Sequence, residues 1–209
     1  MKTYKRIAFD IDNTLTFLQP TLDLMAEHFN CFPAVEDDIL SFRLSDAYPV
    51  SREQELDFWL TRESEICQTS VFADKRVNQI LKRFSNNNSE YLYITNRDSR
   101  YLKETQLWLE KSGLPAGDLL LLGKQSKLKA LEDWEAEVIF EDNPAFFLEL
   151  ESKPVRGLDN YCIDYPYNRC VSSTGRISRL TGKLKGEEHN PFKEINVPKS
   201  FLIPDQQIS

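Results

Sequence analysis

Histidine is nearly missing from this chain, cysteine is sparse, and no long apolar run occurs. The two histidines, His28 and His189, are too few and too far apart for a histidine-based metal centre. The four cysteines (Cys31, Cys67, Cys162, Cys170) show no Cys-x-x-Cys pair and no zinc spacing, so they read as reduced thiols. No stretch approaches the ~20 apolar residues that a membrane span requires. The opening MKTYKRIAFDID meets an aspartate too soon for a secretory signal. A cytoplasmic protein with no membrane partner is therefore expected. Basic residues are also short: the net charge is -7, which disfavours a nucleic-acid polymer as partner. A small anionic substrate remains admissible, because a local cation overrides the global field. Internal repeats and low-complexity blocks are lacking too.

What is present is an ordinary globular composition, with 41% hydrophobic and 28% charged residues among 209, enough for one core domain carrying a smaller insert. Lys5 to Ile11 reads as a buried strand ending in acidic residues. A helix opens at Pro20-Thr21, with Leu22, Met25, Ala26 and Phe29 on one face. Residues 35–50 are turn-rich. Ser51 and Gln54 then resemble a capping box, opening a long helix whose expected apolar face is Leu56, Trp59, Leu60 and Ile66. From about residue 74, helix and strand alternate. Helices are expected around Val77–Phe84, Tyr101–Leu109, Lys127–Trp134 and Pro144–Glu151, and strands at Tyr91–Thr95, Leu119–Leu122, Val138–Phe140 and, last, Tyr161–Ile163. This spacing predicts an α/β fold: a three-layer α/β/α, Rossmann-like parallel sheet with a small helical cap inserted after the first strand. The expected domains are a core of residues 1–16 and 74–181, a cap of 17–73, and a tail of 182–209 whose pattern points to no role.

In open α/β sheets ligands bind beyond the carboxyl ends of the strands. There the sequence places Asp10-Ile11-Asp12-Asn13-Thr14, Thr95-Asn96 and Glu141-Asp142, with Lys127 just inside a helix start. Converging carboxylates repel one another and are tenable around a hard cation such as Mg²⁺. Such a cation lets an anionic aspartate approach an anionic phosphoryl group. A carboxylate can act as nucleophile through an acyl phosphate, and a second one two residues on can protonate the leaving oxygen and then deprotonate water. Each residue alone has a plainer reading. The acidic pair suits a solvated strand end, Thr95 a helix cap, Lys127 or Lys124 a surface charge, and Glu141 a supporting position. Their joint order favours chemistry.

The run Ile7-Ala8-Phe9-Asp10-Ile11-Asp12-Asn13-Thr14, followed by Tyr93-Ile94-Thr95-Asn96, Lys127 and Phe140-Glu141-Asp142, resembles the four motifs of the haloacid dehalogenase (HAD)-like phosphohydrolase superfamily. More narrowly, the small helical insert, Glu141-Asp142-Asn143-Pro144 and Asp164-Tyr165-Pro166-Tyr167-Asn168 look like bacterial nucleotidase-type proteins related to 5'(3')-deoxyribonucleotidases. The resemblance covers about residues 1–170. It implies Asp10 as nucleophile and Asp12 as general acid/base. It also implies Mg²⁺ held by Asp10, the backbone carbonyl of Asp12 and Asp142, and phosphate binding by Thr95, Asn96 and Lys127, with Lys124 as the alternative lysine. Asn13 stands where glycine is common. Phe17, Phe42 and Trp59 are expected substrate contacts by stacking on a nucleobase, although aromatics at helical spacing are also ordinary core; Tyr165 and Tyr167 are further candidates for the pocket wall. The expected activity is Mg²⁺-dependent hydrolysis of a phosphate monoester, with a nucleoside monophosphate the first substrate class. A sugar or other small-metabolite phosphate, a hydrolytic dehalogenase and a catalytically silent binding module are the alternatives. The oligomeric state is left open.

Overall fold

A computed structural model describes residues 2–179; the expected tail of 182–209 lies outside the described residues. Six parallel strands form one sheet: β1 (Arg6–Phe9), β2 (Glu90–Thr95), β3 (Asp118–Leu121), β4 (Val138–Glu141), β5 (Asp159–Asp164) and β6 (Gly175–Ser178). The order across the sheet is β3-β2-β1-β4-β5-β6. The helices are α1 (Gln19–His28), α2 (Arg52–Thr69), α3 (Asp74–Phe84), α4 (Leu102–Ser112), α5 (Lys127–Asp133) and α6 (Pro144–Ser152).

The three layers follow from side-chain alternation. Ile7 and Phe9 of β1 face the layer holding Val77, Ile80 and Phe84 of α3 and Trp108 of α4. Ala8, between them, faces the layer holding Leu128 and Leu131 of α5 with Phe146, Phe147 and Leu150 of α6. Both faces of the sheet are thus covered, which is why its central strands are apolar throughout. Burying each such Ile, Leu or Phe stabilises the fold by roughly 1.5–3 kcal/mol relative to exposure.

Three expectations need correction. The strand at Asp159–Asp164 is not the last: Gly175–Ser178 pairs in parallel beside it, from Tyr161↔Gly175 to Asp164↔Ser178. Its residues, Gly-Arg-Ile-Ser, hold one apolar side chain because an edge strand buries little. The first strand stops at Phe9 rather than Ile11, since the chain turns at once and Asn13 adopts φ 62°. The inward face of α2 is also rotated. Glu55, Phe58, Ile66 and Cys67 are buried, whereas Leu56 and Leu60 are 46% and 64% exposed. Glu55 turns inward because its carboxylate accepts the backbone N–H groups of Leu44 (3.2 Å) and Ser45 (3.0 Å), tying the preceding turn to the helix. The capping box does form, with Gln54 N–H donating to Ser51 Oγ and Ser51 N–H to Gln54 Oε1.

Between β1 and α3 the chain runs through α1, two short 3₁₀ turns at Glu36–Asp38 and Leu44–Asp46, and α2. The two ends of this segment meet in an isolated antiparallel bridge, Thr16↔Phe72, so it leaves and rejoins the sheet at one place. Among the described residues no helix is long and apolar enough to cross a membrane.

Candidate active site

From β1 the chain moves outward through β2 to β3, then returns to β4 on the opposite side of β1. That reversal opens a crevice at the carboxyl ends of β1 and β4, the place where such sheets bind ligands. Asp10 follows β1 directly, and its N–H still donates to Phe140 O of β4 at 2.9 Å. The next turn is braced from inside. Asn13 N–H donates to Thr16 Oγ1 (2.9 Å), and the buried Arg76 of α3 donates to the carbonyls of Asn13, Thr14 and Thr16. Asparagine tolerates the left-handed backbone better than most residues, so Asn13 fits the position where glycine is usual.

Lys127, the first residue of α5, is drawn fully inside. Its Nζ lies 2.6 Å from Asp10 Oδ1 and 2.6 Å from Glu141 Oε2. Lys124 is exposed in the loop before it. The other Glu141 oxygen, Oε1, accepts the N–H groups of Asp142 and Asn143, both at 3.0 Å. Asp142 Oδ2 accepts the hydroxyl of Tyr167 at 2.5 Å and its Oδ1 that of Thr14 at 3.3 Å, while Asn168 Nδ2 donates to its backbone carbonyl. Asp10, Glu141 and Asp142 each offer an oxygen within 4.8 Å of the others.

Burial, and then the charge of Glu141, push the Asp10 carboxyl well above its ordinary range. The same two causes push Asp142 up to about 7. Burial alone lowers an ammonium's pKa, but at Lys127 the carboxylates of Asp10 and Glu141 outweigh it and the net shift is upward. One ammonium among three buried carboxylates leaves negative charge in excess. A divalent cation with hard oxygen ligands fits that donor set.

The Asp12 carboxylate does not join this acidic cluster; the ligand expected of that residue is its backbone carbonyl. That carboxylate, 40% exposed, is gripped by Arg97, with Nη2 at 2.6 Å from Oδ1 and Nε at 2.9 Å from Oδ2. Glu141 supplies the third carboxylate of the cluster. Thr95 lies between the two groups, accepting Arg97 N–H (3.2 Å) and reaching Asp12 Oδ2 at 3.4 Å. The side chain of Asn96 is exposed and turned to the loop leading into α5, where Nδ2 donates to Gly123 O (2.7 Å) and Gln125 O (3.1 Å). Arg97 was not anticipated, since an arginine after a strand end usually reads as a solvated charge. The one signal was its position, two residues beyond Thr95.

These groups line a cavity of about 350 Å³, within the range of small-molecule sites. Asp10, Asp12, Thr95, Lys127 and Asp142 form one side; Phe42, Trp59 and Glu63 come from the segment between β1 and α3. Phe42 also meets Tyr167 edge-on at 5.5 Å, and Tyr167 stacks on Tyr165 at 5.1 Å. Phe17 does not line the cavity. Its ring lies against the Arg76 guanidinium at 5.3 Å, because Arg76 must reach the turn beneath it.

No protein-family model matches the chain. It is similar to "Putative nucleotidase BH1399" of Halalkalibacterium halodurans, with 30% identity over 172 residues, covering 81% of this chain and 84% of that protein. It is also similar to "Nucleotidase CA_C3379" of Clostridium acetobutylicum, 25% identical over 163 residues that cover 78% and 82% of the two chains. Among solved structures, a HAD-superfamily hydrolase of subfamily IA from Geobacter sulfurreducens superposes with a TM-score of 0.50, covering 84% of this chain and 93% of that one, at 12% identity. At that identity the likeness speaks for the fold alone.

Proposed function

Because the chain belongs to the family of its nucleotidase relatives and has the fold of a HAD-superfamily hydrolase, we propose that it releases phosphate from nucleoside monophosphates, with Asp10 as the nucleophile. The observation that carries this reading is the placement of Asp10: buried at the end of the central strand, open to the cavity, and held by Lys127 at 2.6 Å. Asp10, Glu141 and Asp142 would hold a Mg²⁺ ion together with the Asp12 backbone carbonyl. When bound, the ion supplies charge neutralisation and a fixed position for phosphoryl oxygens.

The chain's own residues then divide the work. Asp10 Oδ attacks phosphorus in line, forming an acyl phosphate as the ester P–O bond breaks. Asp12 gives its proton to the departing oxygen; afterwards it takes one from the water that attacks phosphorus and frees Asp10. Lys127 keeps Asp10 oriented and offers positive charge to the transferring group. The Thr95 hydroxyl and the backbone N–H of Asn96 border the phosphoryl position, the Asn96 side chain being occupied with the α5 loop. Residues 17–73 serve as the cap, and Phe42 and Trp59 supply aromatic faces suited to a base.

The test is phosphate release from a panel of nucleoside monophosphates and sugar phosphates, with Mg²⁺ and with chelator. Nucleotides are expected to rank first, release to need Mg²⁺, and Asp10→Asn to lower kcat by at least about 1,000-fold, as for loss of other covalent nucleophiles. A sugar phosphate ranking first would overturn the substrate class. Unchanged release by Asp10→Asn would overturn the mechanism.

A further inference from the structure

We propose that Arg97 is the positioning residue for Asp12, a fork that fixes which way the proton-transferring carboxyl group points; this deepens the phosphohydrolase reading and rests on it. The geometry is bidentate, with Nη2 on Oδ1 at 2.6 Å and Nε on Oδ2 at 2.9 Å. The fork is itself held from several sides. Its side chain is only 3% exposed, Nη1 donates to Thr105 Oγ1 of α4 at 3.2 Å, and the guanidinium lies 5.9 Å from the Trp108 ring. Trp108 Nε1 donates in turn to Ser70 O, at the C-terminal end of α2, and Arg97 Nη2 reaches Ser70 Oγ at 3.5 Å. Asp98, next in the chain, donates its N–H to Glu63 of α2 at 3.3 Å.

The Asp12 carboxylate stands partly open to the cavity, and without a partner it would rotate freely about its side-chain bonds. Each carboxyl oxygen has two lone pairs, so an oxygen that takes the proton on one still accepts from the fork on the other, and the two-point grip persists through both half-reactions. In the first, the Asp12 proton passes to the ester oxygen while the P–O bond breaks and the Asp10–P bond forms. In the second, water's oxygen bonds to phosphorus, its proton passes to Asp12, and the Asp10–P bond breaks. Lysine cannot reproduce this grip, because a point charge engages one oxygen without fixing the plane.

The experiment compares two esters on the same preparation. p-Nitrophenyl phosphate releases an anion that needs no proton, whereas a nucleoside monophosphate releases an alkoxide that does. The ratio of the two rates is independent of the fraction of each variant that is folded, so the buried position of Arg97 does not blur the result. Arg97→Gln is expected to lower kcat/KM, which reports the first half-reaction alone, by about 10- to 100-fold on the nucleotide and by less than about 3-fold on the aryl ester; kcat also contains the second half-reaction, which the two esters share. Arg97→Lys should behave like Arg97→Gln, and adding Arg97→Gln to Asp12→Asn should cost nothing further. Equal losses of kcat/KM on both esters, a rise confined to KM, or full activity in Arg97→Lys would each overturn the proposal. A wild-type protein that hydrolyses neither ester overturns the phosphohydrolase reading and this inference with it. Aryl-ester activity that survives Arg97→Gln and vanishes in Asp10→Asn supports both.

Discussion

Tyr167 stands behind Asp142, and its hydroxyl is the closest donor that carboxylate has, at 2.5 Å. Burial and the neighbouring Asp142 charge raise the Tyr167 hydroxyl well above its ordinary range, so it remains a donor at any working pH. A hydrogen bond of this kind orients a cation ligand without touching the cation. Tyr167→Phe should therefore raise the Mg²⁺ concentration needed for half-maximal activity by about 10-fold or more, with saturated kcat altered far less. A Mg²⁺ titration of phosphate release checks this; an unchanged half-saturation point would remove Tyr167 from the site. At this scale the sequence revealed residues whose type is unusual where they stand, such as aspartates closing an apolar strand and a lysine at a helix start. It did not reveal Arg97. An arginine announces nothing by type, and its meaning comes from the carboxylate facing it across a distance of 85 positions in the chain.

Among the elements, α2 distinguishes pattern from packing. Reading its apolar residues alone makes Leu56 and Leu60 the inner face, yet both point outward and Phe58 is fully buried. The difference arises because Glu55 is held inside by two backbone N–H groups and by Arg52 at 2.7 Å, which fixes the helix rotation. Phe58→Ala should destabilise the protein by roughly 3–5 kcal/mol, while Leu60→Ser should stay within about 0.5 kcal/mol. Urea unfolding of the two variants checks the assignment, and the reverse order would restore the sequence-based face. The strands β2 to β5 and the helices after residue 74 were legible to within about three residues, because both sheet faces are covered and short apolar runs then stand out between amphipathic helices. β6 was not. With Arg176 donating to Asp164, Asn168 and Val171, that edge is secured by polar contacts that leave no hydrophobic period.

For the molecule as a whole, the buried carboxylates couple stability to pH and to metal. In the unfolded chain Asp10 and Asp142 would titrate near about 4. In the folded protein burial and Glu141 raise both, Asp142 to about 7. Burial raises Glu63 in the same direction. Between those limits the folded state binds more protons than the unfolded one, so without metal its stability falls as pH rises and levels off above the folded values. Glu55 and Asp159 are lowered on balance, despite burial, by hydrogen bonds from Arg52 and Ser45 and from Lys2 and Tyr4. Their stabilisation is present above about 4 and lost only below it, which leaves the window from about 5 to 7.5 to the acidic cluster together with Glu63. A cation bound to ionised carboxylates acts in the opposite sense, stabilising the fold by about 2.7 kcal/mol at 100 times its Kd. Melting curves at pH 5 and pH 7.5, each with Mg²⁺ and with chelator, should show a Mg²⁺ gain that is small at the lower pH and larger at the higher. The expected difference is at least about 1 kcal/mol, or roughly 2–4 °C for a domain of this size. A gain of equal size at both values would mean that the cation does not bind where Asp10, Glu141 and Asp142 meet.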